Sequence, residues 1–306
     1  MSLKAVILGG TSHIARALTP YLLDSGTELT LFARSPEKLA GTPCQVKKDF
    51  SLLANEKYDL IINCIGAGTP KELAGDYNRW FSVLEKFDNL ALEYLQKVNP
   101  QALYVMFSSG AVYGRQSNTP ATENSAWSLF PNRVDVPDYY AISKLYSEAK
   151  HRSLPYLRIV DLRIFSFFSR HIDLDSGYFM TDLVKALATG QIMETSPGDM
   201  IRDYPSPADL ASLILKCTAL PQINTAVDVA SKCAVSKLEI LKEFEKHFAL
   251  QYRVIDMCSN SPNGNVNVYL PTGEMAEKQL GWQAENTSIE TLIFETEAIL
   301  KQYGKA

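Results

Sequence analysis

The first fifteen residues restrict what this chain can fold into. Ala5, Val6, Ile7 and Leu8 form an apolar run of strand length. The run passes straight into Gly9, Gly10, Thr11, Ser12 and His13, after which Ile14, Ala17, Leu18, Tyr21 and Leu22 recur at helical spacing. Strand, glycine turn and helix therefore open the chain. A helix that begins just behind a parallel strand aims unpaired amides and the positive end of its dipole at one place, which suits a phosphate. Glycine matters there because a Cβ would block the approach of a pyrophosphate. Gly9 and Gly10 are present, but Ser12 and Ala15 stand where further glycines would be expected. On this segment alone, an ordinary strand-helix turn is the alternative.

The same alternation continues. Apolar runs at 29–32, 60–65, 103–107 and 159–165 read as strands, 45–50 as a short third strand between the first two of them, and helical spacing fills 77–98, where Asn99 and Pro100 end it. Apolar strands that alternate with helices predict an α/β fold, a Rossmann-type doubly wound parallel sheet covered on both faces. After Phe168 the texture changes to loops and short helices, with helices expected at 183–188, 207–220 and 236–248 and a further strand at 227–230. The reading is a dinucleotide-binding domain over 1–167, to which 225–250 returns. A smaller, discontinuous C-terminal substrate lobe is expected over 168–224 and 251–306.

With 306 residues the chain can bury a full core, and a formal charge of −4 with no Lys/Arg-rich block speaks against a nucleic-acid partner. No apolar run is long enough to span a bilayer and none reads as a signal peptide, so a cytoplasmic protein without a membrane partner is expected. The five cysteines are odd in number and scattered without a C-x-x-C, and the four histidines form no ligand motif. No metal is expected.

The end of the second strand bears on the cofactor. An acidic residue there would bond a ribose 2′-hydroxyl, whereas this chain has Ala33 and then Arg34. A guanidinium suits a 2′-phosphate, so NADP is preferred, with NAD possible. Arg34 could also stack on adenine or face solvent. Gly66 and Ala67 follow the fourth strand, at the sheet edge where a dinucleotide should cross.

Acid–base chemistry has two candidates in one helical segment. Tyr140 and Lys144 are four residues apart, and so are Tyr146 and Lys150. Either pair would share a helix face. A neighbouring ammonium favours phenolate and lowers a tyrosine pKa toward working pH. The spacing alone does not choose between them, and an exposed helix pair is the bland reading of each.

Taken together, these segments resemble the extended short-chain dehydrogenase/reductases, the NAD(P)-dependent nucleotide-sugar epimerase, dehydratase and reductase group. The stretch from Gly9 to Ala15 is similar to that family's glycine turn, and Asp49 and Phe50 resemble its adenine-contacting pair. The run Phe107, Ser108, Ser109, Gly110, Ala111, Val112, Tyr113, Gly114 is very like its serine segment. Tyr140 to Lys144 is like its tyrosine-lysine segment, Ile201 to Asp209 like its Arg-Asp-Phe segment, and Leu280, Gly281 and Trp282 like its C-terminal motif. Ser166 stands in place of a usual asparagine.

The resemblance implies roles. Ser109, Tyr140 and Lys144 would be catalytic, with Tyr140 as acid/base, Lys144 also on the nicotinamide ribose, and Ser109 on the substrate oxygen. Gly9, Thr11, Ser12, His13, Ile14, Arg34, Asp49, Phe50, Gly66 and Ala67 would complete the cofactor site. Arg202 would meet the nucleotide diphosphate, unless it is a structural partner of Asp203 or Asp209. The expected function is epimerase or reductase chemistry on a nucleotide sugar. The alternatives are reduction of another small carbonyl compound or a non-catalytic NADP(H)-binding regulatory role. A dehydratase is disfavoured because Gly110 and Ala111 replace that subgroup's Asp-Glu pair. A homodimer paired through the 77–98 and 140–150 helices is also implied.

Overall fold

The computed structural model describes residues 2–68, 70–114, 119–255 and 267–304. The chain opens with β1 (Lys4–Leu8), α1 (His13–Asp24), β2 (Glu28–Phe32), β3 (Gln45–Lys47) and β4 (Leu60–Asn63). It continues through α2 (Pro70–Leu73), α3 (Arg79–Lys97), β5 (Leu103–Ser109), α4 (Val136–Arg152) and β6 (Ile159–Ile164). A seven-stranded parallel sheet has the order β3-β2-β1-β4-β5-β6-β9, where β9 is Asn224–Asp228. The chain winds outward from β1 in one direction and then restarts at β4 in the other. The break in strand order therefore lies between β1 and β4, and ligands of such sheets sit at the carboxyl ends beside it.

Strand alternation explains why the runs are apolar throughout. In β1, Ala5 and Ile7 join one core while Val6 and Leu8 join the other, and in β5 Leu103 and Val105 separate from Tyr104 and Met106 in the same way. The first core is closed by α1, by α6 (Pro207–Thr218) and by Leu280 and Trp282. The second is closed by α3, through Leu84, Ala91, Leu92 and Leu95.

A third core holds the remaining helices. It joins α5 (Phe179–Thr189), α7 (Lys237–Phe248) and α9 (Ser288–Gln302) through Met180, Leu183, Phe244 and Leu292. The small strands β7 (Met193–Thr195), β8 (Ile201–Arg202), β10 (Val235–Ser236), β11 (Tyr252–Val254) and β12 (Val268–Tyr269) pair beside it, and α8 is Glu274–Leu280.

Packing places four segments. Of 225–250, only β9 enters the large sheet, because the apolar stripe of α7 (Ile240, Leu241, Phe244) packs in the third core. Conversely α6, expected in the substrate lobe, packs Leu210, Leu213, Ile214 and Cys217 into the first core. Leu280 and Trp282 do likewise from the tail. The third strand also stops at Lys47, since Asp49 instead caps a 3-10 turn over Phe50–Asn55 and accepts the Ser51 amide at 2.9 Å. No helix among the described residues is long and apolar enough to cross a membrane, and no cluster of described His, Cys, Asp and Glu residues could hold a metal ion.

Candidate active site

The glycine turn is shaped first by the protein itself. Gly9 has φ +85°, and a Cβ there would lie 2.8 Å from Ile65 Cγ1 and 3.2 Å from the Cys64 carbonyl. At Gly10 it would lie 2.9 Å from Leu31 Cβ. Both amides donate to the Phe32 carbonyl at 2.9 Å, which binds the turn to β2. Ser12, one of the two departures from a glycine pattern, is the N-cap of α1: its hydroxyl accepts the Ala15 amide at 3.2 Å. Ala15, the other, is fully buried in the first core. The helix still begins where an anion would sit, and the amides of His13 and Ile14 are the first of the helix, which have no intrahelical partner.

His13 is packed against Phe167, with ring centroids 5.1 Å apart, and its Nε2 is buried without a hydrogen-bond partner. Burial, with the nearby His171 and Arg16, pushes its pKa down to about 4, so it is neutral at physiological pH. Across the break in strand order, a Cβ at Gly66 would meet nothing within 4 Å. Arg34, Asp49 and Phe50 meet at the far end, on the lining of a cavity of about 510 Å³. A turn held by its own glycines, an uncapped pair of amides and open space at Gly66 fit a dinucleotide laid across the carboxyl edge.

The catalytic candidates converge at the ends of β5 and α4. Strand alternation sends Ser108 and Ser109 to opposite faces. Ser108 donates to Glu148 at 2.6 Å, and that carboxylate is held by Arg163, which also reaches Asp228 and the Tyr113 hydroxyl. Ser109 accepts the Ala111 amide at 3.2 Å, so it does cap the following 3-10 turn. Its hydroxyl also pulls the Tyr140 pKa down, against the effect of burial. Gly110 packs under Phe165, whose ring would lie 2.4 Å from an added Cβ.

The helix α4 starts with a capping box, Asp135 with Asp138, and carries both tyrosine-lysine pairs. Only one of them faces the site. Lys144 is buried, with its ammonium 5.7 Å from the centre of the Tyr140 ring. Tyr146 is exposed and Lys150 turns away to Asp88, 2.7 Å distant.

One expectation is corrected. Burial, the dominant influence, pushes the Tyr140 pKa up, and the Ser109 hydroxyl only partly offsets it. The Lys144 ammonium donates to the Phe107 carbonyl at 2.7 Å. Burial brings Lys144 itself down to about 8, opposed by Asp161, Glu148 and Asp88.

The smaller lobe adds groups that the sequence did not single out. Strand pairing sets Tyr269 of β12 beside Arg202 of β8, and the Tyr269 hydroxyl lies 3.5 Å from Ser109 Oγ. Trp80, at the start of α3, packs on Tyr140 with ring centroids 5.5 Å apart and donates to the Gly68 carbonyl at 3.0 Å. Tyr178 lies near enough that Tyr140 helps to raise its pKa, after burial. Nothing in the spacing of Tyr178 or Tyr269 marks them, since each is positioned by lobe packing rather than by a motif. Arg202 is buried and donates to its own Ile201 carbonyl at 2.8 Å. Asp203 instead accepts the Ser231 amide and Asp209 the amides of Glu285 and Asn286.

Residues 5–230 match the model of the NAD dependent epimerase/dehydratase family. The chain belongs to this epimerase/dehydratase family. It is an enzyme of the extended short-chain dehydrogenase/reductase type. A comparison with curated protein sequences finds no match.

Solved structures of the same fold are abundant. The UDP-glucose 4-epimerase of Thermotoga maritima, solved with UDP-glucose, superposes with TM-score 0.80 at 14% identity, covering 98% of this chain and 99% of that one. A UDP-glucuronic acid 4-epimerase mutant of Bacillus cereus, in complex with a fluorinated UDP-sugar and NAD, gives 0.79 at 16% identity and covers 98% and 99%. The dTDP-glucose 4,6-dehydratase of Bacillus anthracis, in complex with NAD, gives 0.77 at 14% identity and covers 99% and 98%. At these identities the likeness concerns the fold that this epimerase/dehydratase-family chain shares with them.

Proposed function

We propose that this protein carries out 4-keto/4-hydroxyl chemistry on a nucleotide-linked sugar, using a nicotinamide dinucleotide, with NADP(H) preferred over NAD(H). The observation that carries the reading is the buried Lys144 ammonium 5.7 Å from the centre of the Tyr140 ring, with Ser109 close enough to bear on the Tyr140 phenol. All three lie at the carboxyl end of β5, next to the break in strand order.

The dinucleotide would be held by the turn Gly9, Thr11, Ser12, His13 and Ile14 at its phosphates, and by Arg34, Asp49 and Phe50 at its adenosine end. Gly66 and Ala67 would border its crossing, with Tyr140 and Lys144 at the nicotinamide ribose. When bound, it supplies the hydride acceptor or donor. Ser109 donates to the substrate oxygen and fixes its position, and Tyr140 moves the proton at that same oxygen. Because burial holds the Tyr140 phenol up, the resting side chain is a proton donor. That protonation state suits reduction of a ketone, in which the oxygen gains a proton, and leans the reading toward a reductase.

Arg202, Tyr178 and Tyr269 line the side of the smaller lobe, where the guanidinium serves a nucleotide diphosphate. The Phe165 ring over Gly110 leaves no room for an acidic side chain in the serine segment, which speaks against dehydration. Leu145 and Tyr146, exposed on α4, support pairing of two chains through that helix.

The test is a panel of nucleotide sugars and 4-keto nucleotide sugars incubated with NADPH or NAD, with cofactor absorbance and chromatographed products followed. Conversion at the sugar 4-position is expected. Reduction of simple ketones, with every nucleotide sugar left intact, would shift the assignment to a reductase of another small carbonyl compound.

A further inference from the structure

Polar groups on successive turns of α4 join that helix to β5. Tyr140, Lys144 and Glu148 are spaced four residues apart and share one face of the helix. Lys144 donates to the Phe107 carbonyl at 2.7 Å, and Glu148 accepts the Ser108 hydroxyl at 2.6 Å. Two adjacent residues of β5 are therefore held by two adjacent turns of α4, directly before Ser109. Ser108 and Glu148 are both buried, so water does not compete for their contact.

A buried carboxylate is costly unless it is paired and hydrogen-bonded. Arg163 of β6 supplies a two-pronged partner, with Nη2 donating to Glu148 Oε2 at 2.6 Å and Nε to Oε1 at 3.0 Å. The same guanidinium donates to the Tyr113 hydroxyl at 2.7 Å, which in turn donates to Asp228 of β9 at 2.8 Å. Tyr113 ends the 3-10 turn that Ser109 caps. The network thus holds the chain before Ser109, through Ser108, and after it, through Tyr113. It ties both to the helix that carries Tyr140 and Lys144. An apolar pair of similar volume can often replace a buried ion pair without loss of stability. What the charged groups add is direction, a fixed register between the strand end and the helix.

Resting on the acid–base reading of Tyr140, we propose that Glu148, oriented by Arg163, is a positioning residue that acts through Ser108 to set Ser109 in register with Tyr140. Ser108, Glu148 and Arg163 work through those two hydroxyls rather than on the substrate. Proton transfer is steep in distance and angle, so a small slip of β5 against α4 lowers turnover while binding is retained.

Ser108→Ala removes the bridge and leaves the Glu148–Arg163 pair in place. Its melting point should fall, as the loss of any buried hydrogen bond would cause, so kinetics well below that point decide. On the nucleotide sugar that the wild type converts, kcat should drop about tenfold with KM and dinucleotide affinity unchanged. Ser108→Thr keeps the hydroxyl and should recover kcat to within about threefold of the wild type. Glu148→Gln keeps an acceptor but loses the charge that Arg163 orients, and should lose about three- to tenfold in kcat. A wild-type kcat in Ser108→Ala, or a loss matched by an equal loss of dinucleotide affinity, overturns the positioning role and leaves the acid–base reading standing. If Tyr140→Phe turns over as fast as the wild type, that reading falls and the positioning role falls with it.

Discussion

The Lys144 ammonium donates a 2.7 Å hydrogen bond to the carbonyl oxygen of Phe107, two residues before Ser109 on the same strand. A buried cation is thereby tied to the end of β5 rather than to the phenol one turn away.

That placement has a stability cost with a defined pH window. Burial brings Lys144 to about 8, against an ordinary value of 10.5. Between those values the unfolded chain binds the proton that the folded chain has released, so stability rises with pH there and the cost is fully present below pH 8. Lys144→Met removes the charge at similar length. At pH 7 the variant should be as stable as the wild type or up to about 2 kcal/mol more stable, an advantage that fades above pH 10. Its affinity for a dinucleotide should fall. Thermal unfolding at both pH values, alongside a cofactor titration, checks both halves.

A second buried charge acts with the opposite sign. His151 lies between Asp88 and Asp161, with ring nitrogens 2.7 and 2.8 Å from the two carboxylates, and Lys150 and Arg152 flank the same acids. Burial disfavours the charged ring, but the two carboxylates overcome it and hold the pKa up at about 9. The folded chain keeps a proton that the unfolded chain loses near 6.5, so this contribution is complete below pH 6.5 and is lost as pH rises through 9. Lys144 does not begin to oppose it until about pH 8, and His13, held near 4, acts only below the ordinary histidine range. His171, also lowered by burial, acts in the same direction as His13, so denaturant unfolding should show stability declining from about pH 7 to 8, above the range of both. A flat profile would contradict the assignment of a cationic His151.

Two glycines separate folding from binding. Gly9→Ala puts a Cβ 2.8 Å from Ile65 at a φ of +85° and should cost about 1–3 kcal/mol of stability. Gly66→Ala meets nothing within 4 Å, so its unfolding midpoint should stay at the wild-type value while dinucleotide affinity drops. The two variants need only a melting curve and a cofactor titration each.

The sheet was legible because its central strands β1, β4 and β5 are buried on both faces and so appear as apolar runs flanked by helical spacing. The glycine turn, Ser109 and the tyrosine-lysine helix were legible for a related reason: all lie within a few residues of a strand end or helix start. The lobe boundary was not, since α6 and α7 have similar amphipathic patterns and only packing tells which core each one faces. Tyr269 reaches the site through long-range strand pairing and Tyr178 from the start of α5, and neither leaves a local trace. The Tyr140 pKa was misread because spacing reports proximity on a helix, whereas the direction of the ammonium and the depth of burial belong to the folded chain.

The central claim is that Tyr140 moves a proton at the substrate oxygen. Its most direct measurement is the turnover of Tyr140→Phe on whichever nucleotide sugar the wild type converts, with dinucleotide binding measured on the same preparation. A loss of about a hundredfold or more in kcat with cofactor affinity retained is the predicted result. Turnover equal to that of the wild type would contradict it.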